Sequence, residues 1–230
     1  MIKVGIIGAN GYLGIELIRI LSMHPNVKLS KIFQRELPID EEFPHLQSLN
    51  LKDIQTDNLD DFKNLDCVFL ALPHGSAYEY VKELISKVKI IDLSSDFRIS
   101  SQEDYNKYYK SNFDVNTQSQ FQYGFIENSG DEIKKSSNIS NPGCFALTTQ
   151  LSLLPFHSII KNVSVTAITG SSGGGKNPTN KNHHSTRSKD MFSYNINSHR
   201  HLAEIYQSFP NLRKNLSFVP LSGPFSRGIY

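Results

Sequence analysis

Lys3-Val4-Gly5-Ile6-Ile7 runs directly into Gly8-Ala9-Asn10-Gly11-Tyr12-Leu13-Gly14, and Ile15, Leu17, Ile18 and Leu21 then recur at helical spacing as far as His24-Pro25. A β-branched strand, a glycine turn and an amphipathic helix, in that order, form the opening unit of a dinucleotide-binding fold. Gly8 permits the tight turn, Gly11 lets backbone approach a pyrophosphate, and Gly14 lets helix and strand pack closely. The helix N-terminus, with its free N–H groups and positive dipole end, then receives the phosphates. Gly8, Asn10, Gly11, Tyr12, Leu13 and Gly14 are therefore candidate cofactor contacts. A purely structural turn is the competing reading.

Further along, the chain keeps alternating strand and helix. Val27 to Phe33 is the second strand, and Gln34-Arg35 follows where NAD-binding folds usually place a carboxylate for the ribose hydroxyl. Arg35 suits a 2′-phosphate, which favours NADP(H), unless it is a solvated surface arginine. Asp66 to Leu72 is a strand ending in Pro73-His74-Gly75-Ser76, with a helix from Ala77. Lys89 to Leu93 is another, ending in Ser94-Ser95-Asp96-Phe97-Arg98. Such alternation predicts a parallel sheet with ligand loops at the strand C-termini. Pro73, His74 and Arg98 lie in those loops, although His74 is equally readable as structural and Asp96 can simply pair with Arg98. The polar, aromatic tract from Gln102 to Gln122 lacks periodicity and reads as a surface excursion.

Asn141-Pro142-Gly143-Cys144 then leads into the apolar run Phe145-Ala146-Leu147-Thr148-Thr149-Gln150-Leu151. This puts a cysteine on the first turn of a helix, where free N–H groups and the dipole favour thiolate. The same groups can hold an oxyanion formed when the sulfur attacks a carbonyl. A nucleophile is one reading and a buried small hydrophobe the other. Val163 to Thr169 alternates as a one-sided antiparallel strand does, and Gly170-Ser171-Ser172-Gly173-Gly174-Gly175-Lys176 follows. That loop is either a flexible hairpin or a set of N–H and hydroxyl donors for a phosphate. It lacks the spacing and ending of a Walker loop. His183-His184 and His199-Arg200-His201 match no metal template, so a Cys–His pair is the better use of them and no metal is expected.

Composition fits a globular protein. With 38% hydrophobic and 20% charged residues and a formal charge of +2, the chain has no large field for nucleic acid or anionic membrane. Two cysteines make no disulfide framework, and Cys67, inside a predicted buried strand, reads as packing. The N-terminus has no signal-peptide layout, and no apolar run nears the roughly 20 residues that span a bilayer. A cytoplasmic location is expected.

Taken in order, Gly8-x-x-Gly11-x-x-Gly14, Asp92-Leu93-Ser94-Ser95-Asp96-Phe97-Arg98, Asn141-Pro142-Gly143-Cys144-Phe145-Ala146, Gly170-Ser171-Ser172-Gly173 and His199-Arg200-His201 resemble the N-acetyl-gamma-glutamyl-phosphate reductases, a branch of the aspartate-semialdehyde dehydrogenase-like family. The resemblance covers essentially the whole chain. It implies an α/β fold: a Rossmann dinucleotide-binding domain, residues 1–143, and an α+β catalytic domain, residues 144–230, with a mostly antiparallel sheet as in glyceraldehyde-3-phosphate dehydrogenase. It implies Cys144 as nucleophile and His199 as acid/base partner, with His201 the second choice. Arg98, Asn141, His201 and Arg227 are the implied substrate contacts, and Ser172 and Gly173 join the NADP(H) contacts. The implied reaction is NADPH-dependent reduction of a small-molecule acyl phosphate to a semialdehyde, in a homodimer or homotetramer.

Some stretches depart from the family pattern. Tyr123-Gly124-Phe125-Ile126-Glu127 replaces Tyr-Gly-Leu-Pro-Glu, and Pro220-Leu221-Ser222-Gly223-Pro224 replaces Pro-His-Leu-x-Pro ahead of Arg227-Gly228-Ile229. Family members continue well past Arg-Gly-Ile, so a C-terminally incomplete chain is expected, with sheet edge left exposed at Tyr230. His183-His184-Ser185-Thr186-Arg187 partly resembles the His-His-Pro-x-Arg of relatives acting on carrier-protein-bound aminoadipyl phosphate, which keeps that substrate as an alternative. A catalytically idle NADP-binding module is the remaining one.

Overall fold

Strand β1, Ile2–Ile7, buries Val4, Gly5, Ile6 and Ile7, and the glycine turn follows it as the sequence predicts. The structure, a computed structural model, describes residues 1–33, 43–109, 114–181 and 183–230. Arg35 therefore lies outside the described residues. The helix Tyr12–Ser22 buries Gly14, Ile15, Ile18 and Leu21, the stripe predicted from their spacing. These pack with Val4, Ile6 and Ile32 in one apolar cluster.

β2 (Val27–Phe33), β3 (Gln55–Thr56), β4 (Cys67–Leu70), β5 (Lys89–Asp92), β6 (Phe121–Tyr123) and β7 (Asn138–Ser140) join β1 in one sheet, ordered β3-β2-β1-β4-β5-β7-β6. Every pairing from β3 through to β7 is parallel. Ile6, Val68, Leu70 and Ile90 are fully buried, which is why these strands read as continuous apolar runs. The strand order reverses between β1 and β4, and a ligand crevice opens at such a switch point. Cys67 sits on β4, where burial pushes its thiol up to about 11, so its role is packing.

By contacts the chain divides into two compact units. The first takes residues 1–97, 120–122 and 131–141, and the second takes 98–119, 123–130 and 142–230. In the second unit, β8 (Val163–Thr169), β9 (Phe192–Ser193) and β10 (Leu216–Ser222) form a sheet ordered β8-β10-β9. β8 and β10 pair in parallel from Leu216 with Val163 to Ser222 with Thr169, and only the short β9 joins β10 antiparallel. Along the free side of β8, Ile168 and Tyr230 exchange backbone hydrogen bonds of 2.7 and 2.9 Å. The sheet is thus mixed where a mostly antiparallel one was expected. Alternation in Val163–Thr169 reports which face is buried, not direction. The long connection from Thr169 to Leu216, which carries the helix His201–Ser208, allows the parallel crossover. That helix packs Leu202 and Ile205 against Phe145, Ala146 and Leu153 of the helix Cys144–Leu153, and Phe218 closes the cluster.

The described residues between 102 and 122 are not the irregular excursion that their polarity suggests. Gln102–Tyr108 is a helix capped by Ser101, Val115–Gln118 is a helical turn capped by Asp114, and Phe121 opens β6. Asp104 is buried, yet Arg213 grips both its carboxylate oxygens at 2.7 Å. That partner stands far away in sequence. No helix among the described residues is long and apolar enough to cross a membrane.

Candidate active site

The first unit builds a cradle at the switch point. Gly8 has φ +87°, and a Cβ there would stand 2.5 Å from the Ala71 carbonyl oxygen, so only glycine serves. A Cβ on Gly14 would meet Ala9 Cα at 2.5 Å, which is the close helix–strand approach expected of the third glycine. A Cβ on Gly11 would meet nothing within 4 Å. Gly11 caps the helix Tyr12–Ser22 in extended geometry with no side-chain cap, and Tyr12 and Leu13 are exposed beside it. The open space at Gly11 and the uncapped helix end fit a pyrophosphate. Gly11→Ala is accordingly expected to change stability by less than about 1 kcal/mol. The same change should weaken dinucleotide binding by roughly tenfold, in contrast to Gly8→Ala, which strains the fold itself. Thermal melts and cofactor fluorescence titrations read the two effects separately.

His74 is tied to Asp96, Nδ1 to Oδ1 at 2.7 Å, and Asp96 also accepts from the Gly75 and Ala77 N–H groups, at 2.7 and 3.0 Å. Asp96 so accepts from the first N–H of the helix Ala77–Leu84. Burial pushes its carboxyl up, but these donors more than offset that and hold it below the usual range. Pro73 and His74 follow β4, on the same C-terminal side of the sheet as the glycine turn, and the Asn141 N–H donates to the Asp92 carbonyl at 2.7 Å.

The second unit holds Cys144 at the first position of its helix, exposed, after Gly143 in extended geometry. Although the residue as a whole is exposed, desolvation by the groups packed around the thiol pushes it above its ordinary value. The N–H groups of Phe145 and Cys144 and the Arg98 guanidinium favour thiolate, and Glu204 opposes it. The expected helix-end effect is present, but desolvation outweighs it, so the net shift is opposite to the one predicted from the sequence.

His199 is 8% exposed and lies among the rings of Phe145, Tyr194, Phe218 and His201, with centroids 4.6 to 5.9 Å away. The turn before it uses Asn195 and Asn197 at φ 48° and 51°, a conformation asparagine tolerates, and Asn197 Oδ1 accepts from the Phe218 N–H at 2.7 Å. His199 Nδ1 accepts from the His201 N–H at 3.2 Å, so the neutral ring carries its proton on Nε2. Burial, with Arg200 adding to it, lowers its pKa to about 4. His201, buried, is lowered well below its ordinary value by desolvation first and by His199, Arg98 and Arg200 after it. Arg98 Nη1 lies 3.5 Å from Glu204 Oε1.

Other expected contacts are placed less directly. In the 170–175 loop, the Ser171 and Ser172 N–H groups donate to the Phe225 and Ser226 carbonyls, and those of Gly170, Gly173 and Gly175 are also used within the chain. Hydroxyls rather than these amides would have to meet a phosphate near Ser172 and Gly173. Arg227 is exposed. Arg187 is buried, donates to the Gly223 and Asp190 carbonyls and lies over the Phe192 ring, while His183 caps the turn His184–Arg187. Two participants escaped the sequence reading. Glu204, fully buried, accepts from the Gly143 N–H at 2.8 Å. Tyr194 lies close enough to Cys144 and His199 that burial and the sulfur push its phenol up to about 12.

With this geometry in hand, residues 3–136 match the family model "Semialdehyde dehydrogenase, NAD binding domain" and residues 144–230 match "Semialdehyde dehydrogenase, dimerisation domain". The N-acetyl-gamma-glutamyl-phosphate reductase of Campylobacter curvus is 39% identical, over 99% of this chain and 70% of that protein. A protein of Pyrococcus horikoshii, named for LysW-L-2-aminoadipate/LysW-L-glutamate phosphate reductase activity, is 40% identical over 90% of this chain and 62% of its own. The aspartate semialdehyde dehydrogenase of Candida albicans, solved with NADP, superposes with a TM-score of 0.62 at 13% identity, covering 100% of this chain and 69% of that one. The chain spans 60% to 70% of the length of the curated relatives it matches.

Proposed function

Because this chain belongs to the semialdehyde dehydrogenase family, we propose that it serves NADPH-dependent reduction of N-acetyl-gamma-glutamyl phosphate to N-acetylglutamate semialdehyde and phosphate. The observation that carries this reading is Cys144 at a helix start, beside the buried set His199, His201, Arg98 and Glu204. NADP(H) is preferred over NAD(H) because no carboxylate closes the second strand, where Gln34 and Arg35 follow Phe33. Gly8, Gly11 and the first turn of the helix Tyr12–Ser22 would hold the pyrophosphate. A homo-oligomer formed through the second unit goes with this reading.

Chemically, the Cys144 sulfur attacks the acyl carbon, the carbon–sulfur bond forms, and the carbon–oxygen bond to phosphate breaks. The thioester left on Cys144 stays electrophilic, and two moderate steps replace one difficult step. NADPH, which Gly8, Gly11 and the first turn of the helix Tyr12–Ser22 would hold, would supply the hydride. During each step the amides at the start of the helix Cys144–Leu153 face the oxygen on which charge develops. The Nε2–H of neutral His199 donates to that same oxygen, and collapse returns the electron pair to sulfur as the aldehyde leaves.

Incubating the chain with NADP, phosphate and N-acetylglutamate semialdehyde tests this in reverse. Phosphate-dependent growth of the reduced-nicotinamide absorbance is expected, and growth that ignores phosphate would sink the acyl-phosphate chemistry. Alkylation at neutral pH does not separate an enzyme from an idle NADP-binding module, since the thiol is pushed up; turnover does. The Pyrococcus relative keeps a carrier-bound substrate as the second reading. That reading requires salt-sensitive affinity for an acidic carrier, and binding indifferent to salt would remove it.

A further inference from the structure

Glu204 is fully buried, and its two carboxylate oxygens are used unequally. Oε2 accepts from the Gly143 N–H and from the Tyr123 hydroxyl, each at 2.8 Å. Oε1 faces Arg98 Nη1 at 3.5 Å and His201 Nε2 at 3.9 Å. Gln150 braces the group from behind: its Nε2 donates to the Glu204 carbonyl at 2.9 Å, and its Oε1 lies 3.2 Å from the Tyr123 hydroxyl, whose single proton goes to the nearer Glu204 oxygen. A Cβ on Gly143 would sit 2.5 Å from His201 Nε2 and 2.7 Å from Glu204 Oε1, so the glycine is what admits the carboxylate. Burying a carboxylate is costly, and an apolar side chain would fill the same space with less penalty. The cost is explained if the carboxylate acts on what it holds, the backbone immediately before Cys144.

We propose that Glu204 is a positioning residue for the Cys144 nucleophile, fixing the backbone in front of the sulfur through the Gly143 N–H and itself anchored by Tyr123. With the Gly143 amide drawn inward, the amides of Cys144 and Phe145 are left to the sulfur and to a developing oxyanion. This role rests on Cys144 being the nucleophile. A second consequence follows from charge. The groups whose charge or amides act on the sulfur are Arg98, Glu204, Tyr194 and its own helix amides, with Arg200 and the neutral His199 and His201 in the same cluster. Among the described carboxylates, Glu204 acts against the thiolate.

The test compares the native chain with Glu204→Gln and Tyr123→Phe, reading alkylation of Cys144 by iodoacetamide against pH, with peptide mass spectrometry to separate it from Cys67. In Glu204→Gln the alkylation midpoint is expected to fall by about one pH unit, since an anion facing the sulfur is gone. At the same time kcat should fall roughly tenfold or more with KM little changed, because the backbone is held less firmly. Faster alkylation with slower turnover is a combination that a stability role alone does not produce. An unmoved midpoint together with native kcat overturns the proposal. Should Glu204→Gln fail to fold, Tyr123→Phe decides: the charge remains and one anchor is lost, so kcat falls while the midpoint stays, and native kcat overturns the proposal. In a chain that never reduces NADP, a shifted midpoint shows that Glu204 acts on the Cys144 sulfur while the reductase reading fails, and an unmoved midpoint overturns both.

Discussion

Cys144→Ser is expected to lower kcat by about a thousandfold or more, with KM for the acyl phosphate and the melting temperature close to native. The replacement changes one atom at an exposed position, so no cavity opens in the cluster around Phe145 and Leu202. What changes is the nucleophile. A serine hydroxyl ionises far above a thiol, and His199, the expected base, is not arranged to take its proton. His199 is already protonated on Nε2, and its Nδ1 is occupied by the His201 N–H. The thiol copes because even a raised thiol pKa leaves some thiolate, and a more basic thiolate is intrinsically the stronger nucleophile. Activity above about one hundredth of native would remove Cys144 from the mechanism.

How much of this was legible in the sequence depended on whether the relevant interactions were local. The glycine turn, the helix stripe Ile15, Ile18 and Leu21, and the start of the helix at Cys144 are set by neighbours along the chain, and the sequence reading placed each correctly. The parallel pairing of β8 with β10 was not legible, because direction depends on the long connection between them. The helix Gln102–Tyr108 was hidden by its own polarity, since Asp104 is buried only by virtue of Arg213. Glu204 carries no local signal in the sequence. Its significance comes from Gly143 and Tyr123, both distant in sequence. The direction of the Cys144 shift failed for a related reason: helix-end amides can be read locally, whereas desolvation and a buried carboxylate cannot.

His199→Asn is expected to lower kcat by about a hundredfold or more while leaving the alkylation profile of Cys144 near native. Asparagine can keep an acceptor where Nδ1 meets the His201 N–H, and it removes the Nε2–H that serves the oxyanion. Stability should change with pH in a way that identifies the same ring. Its folded pKa of about 4 lies below its ordinary 6.5, so as pH falls the unfolded chain takes the proton first. The stabilisation is therefore complete above pH 6.5 and is lost as pH falls toward 4. Each tenfold difference in proton affinity between the folded and unfolded chain is worth about 1.4 kcal/mol, so the ring withdraws a few kcal/mol over that window. His201, lowered in the same direction, adds to the loss. Asp96 and Asp104, both held below the usual carboxylate range of about 3.8, act mainly at more acid pH and do not obscure the window. Melting curves between pH 6.5 and 4.5 should thus fall less steeply for His199→Asn than for the native chain. Equal slopes would mean that the ring is not held neutral, and kcat within about threefold of native would mean that its Nε2–H does not serve the reaction.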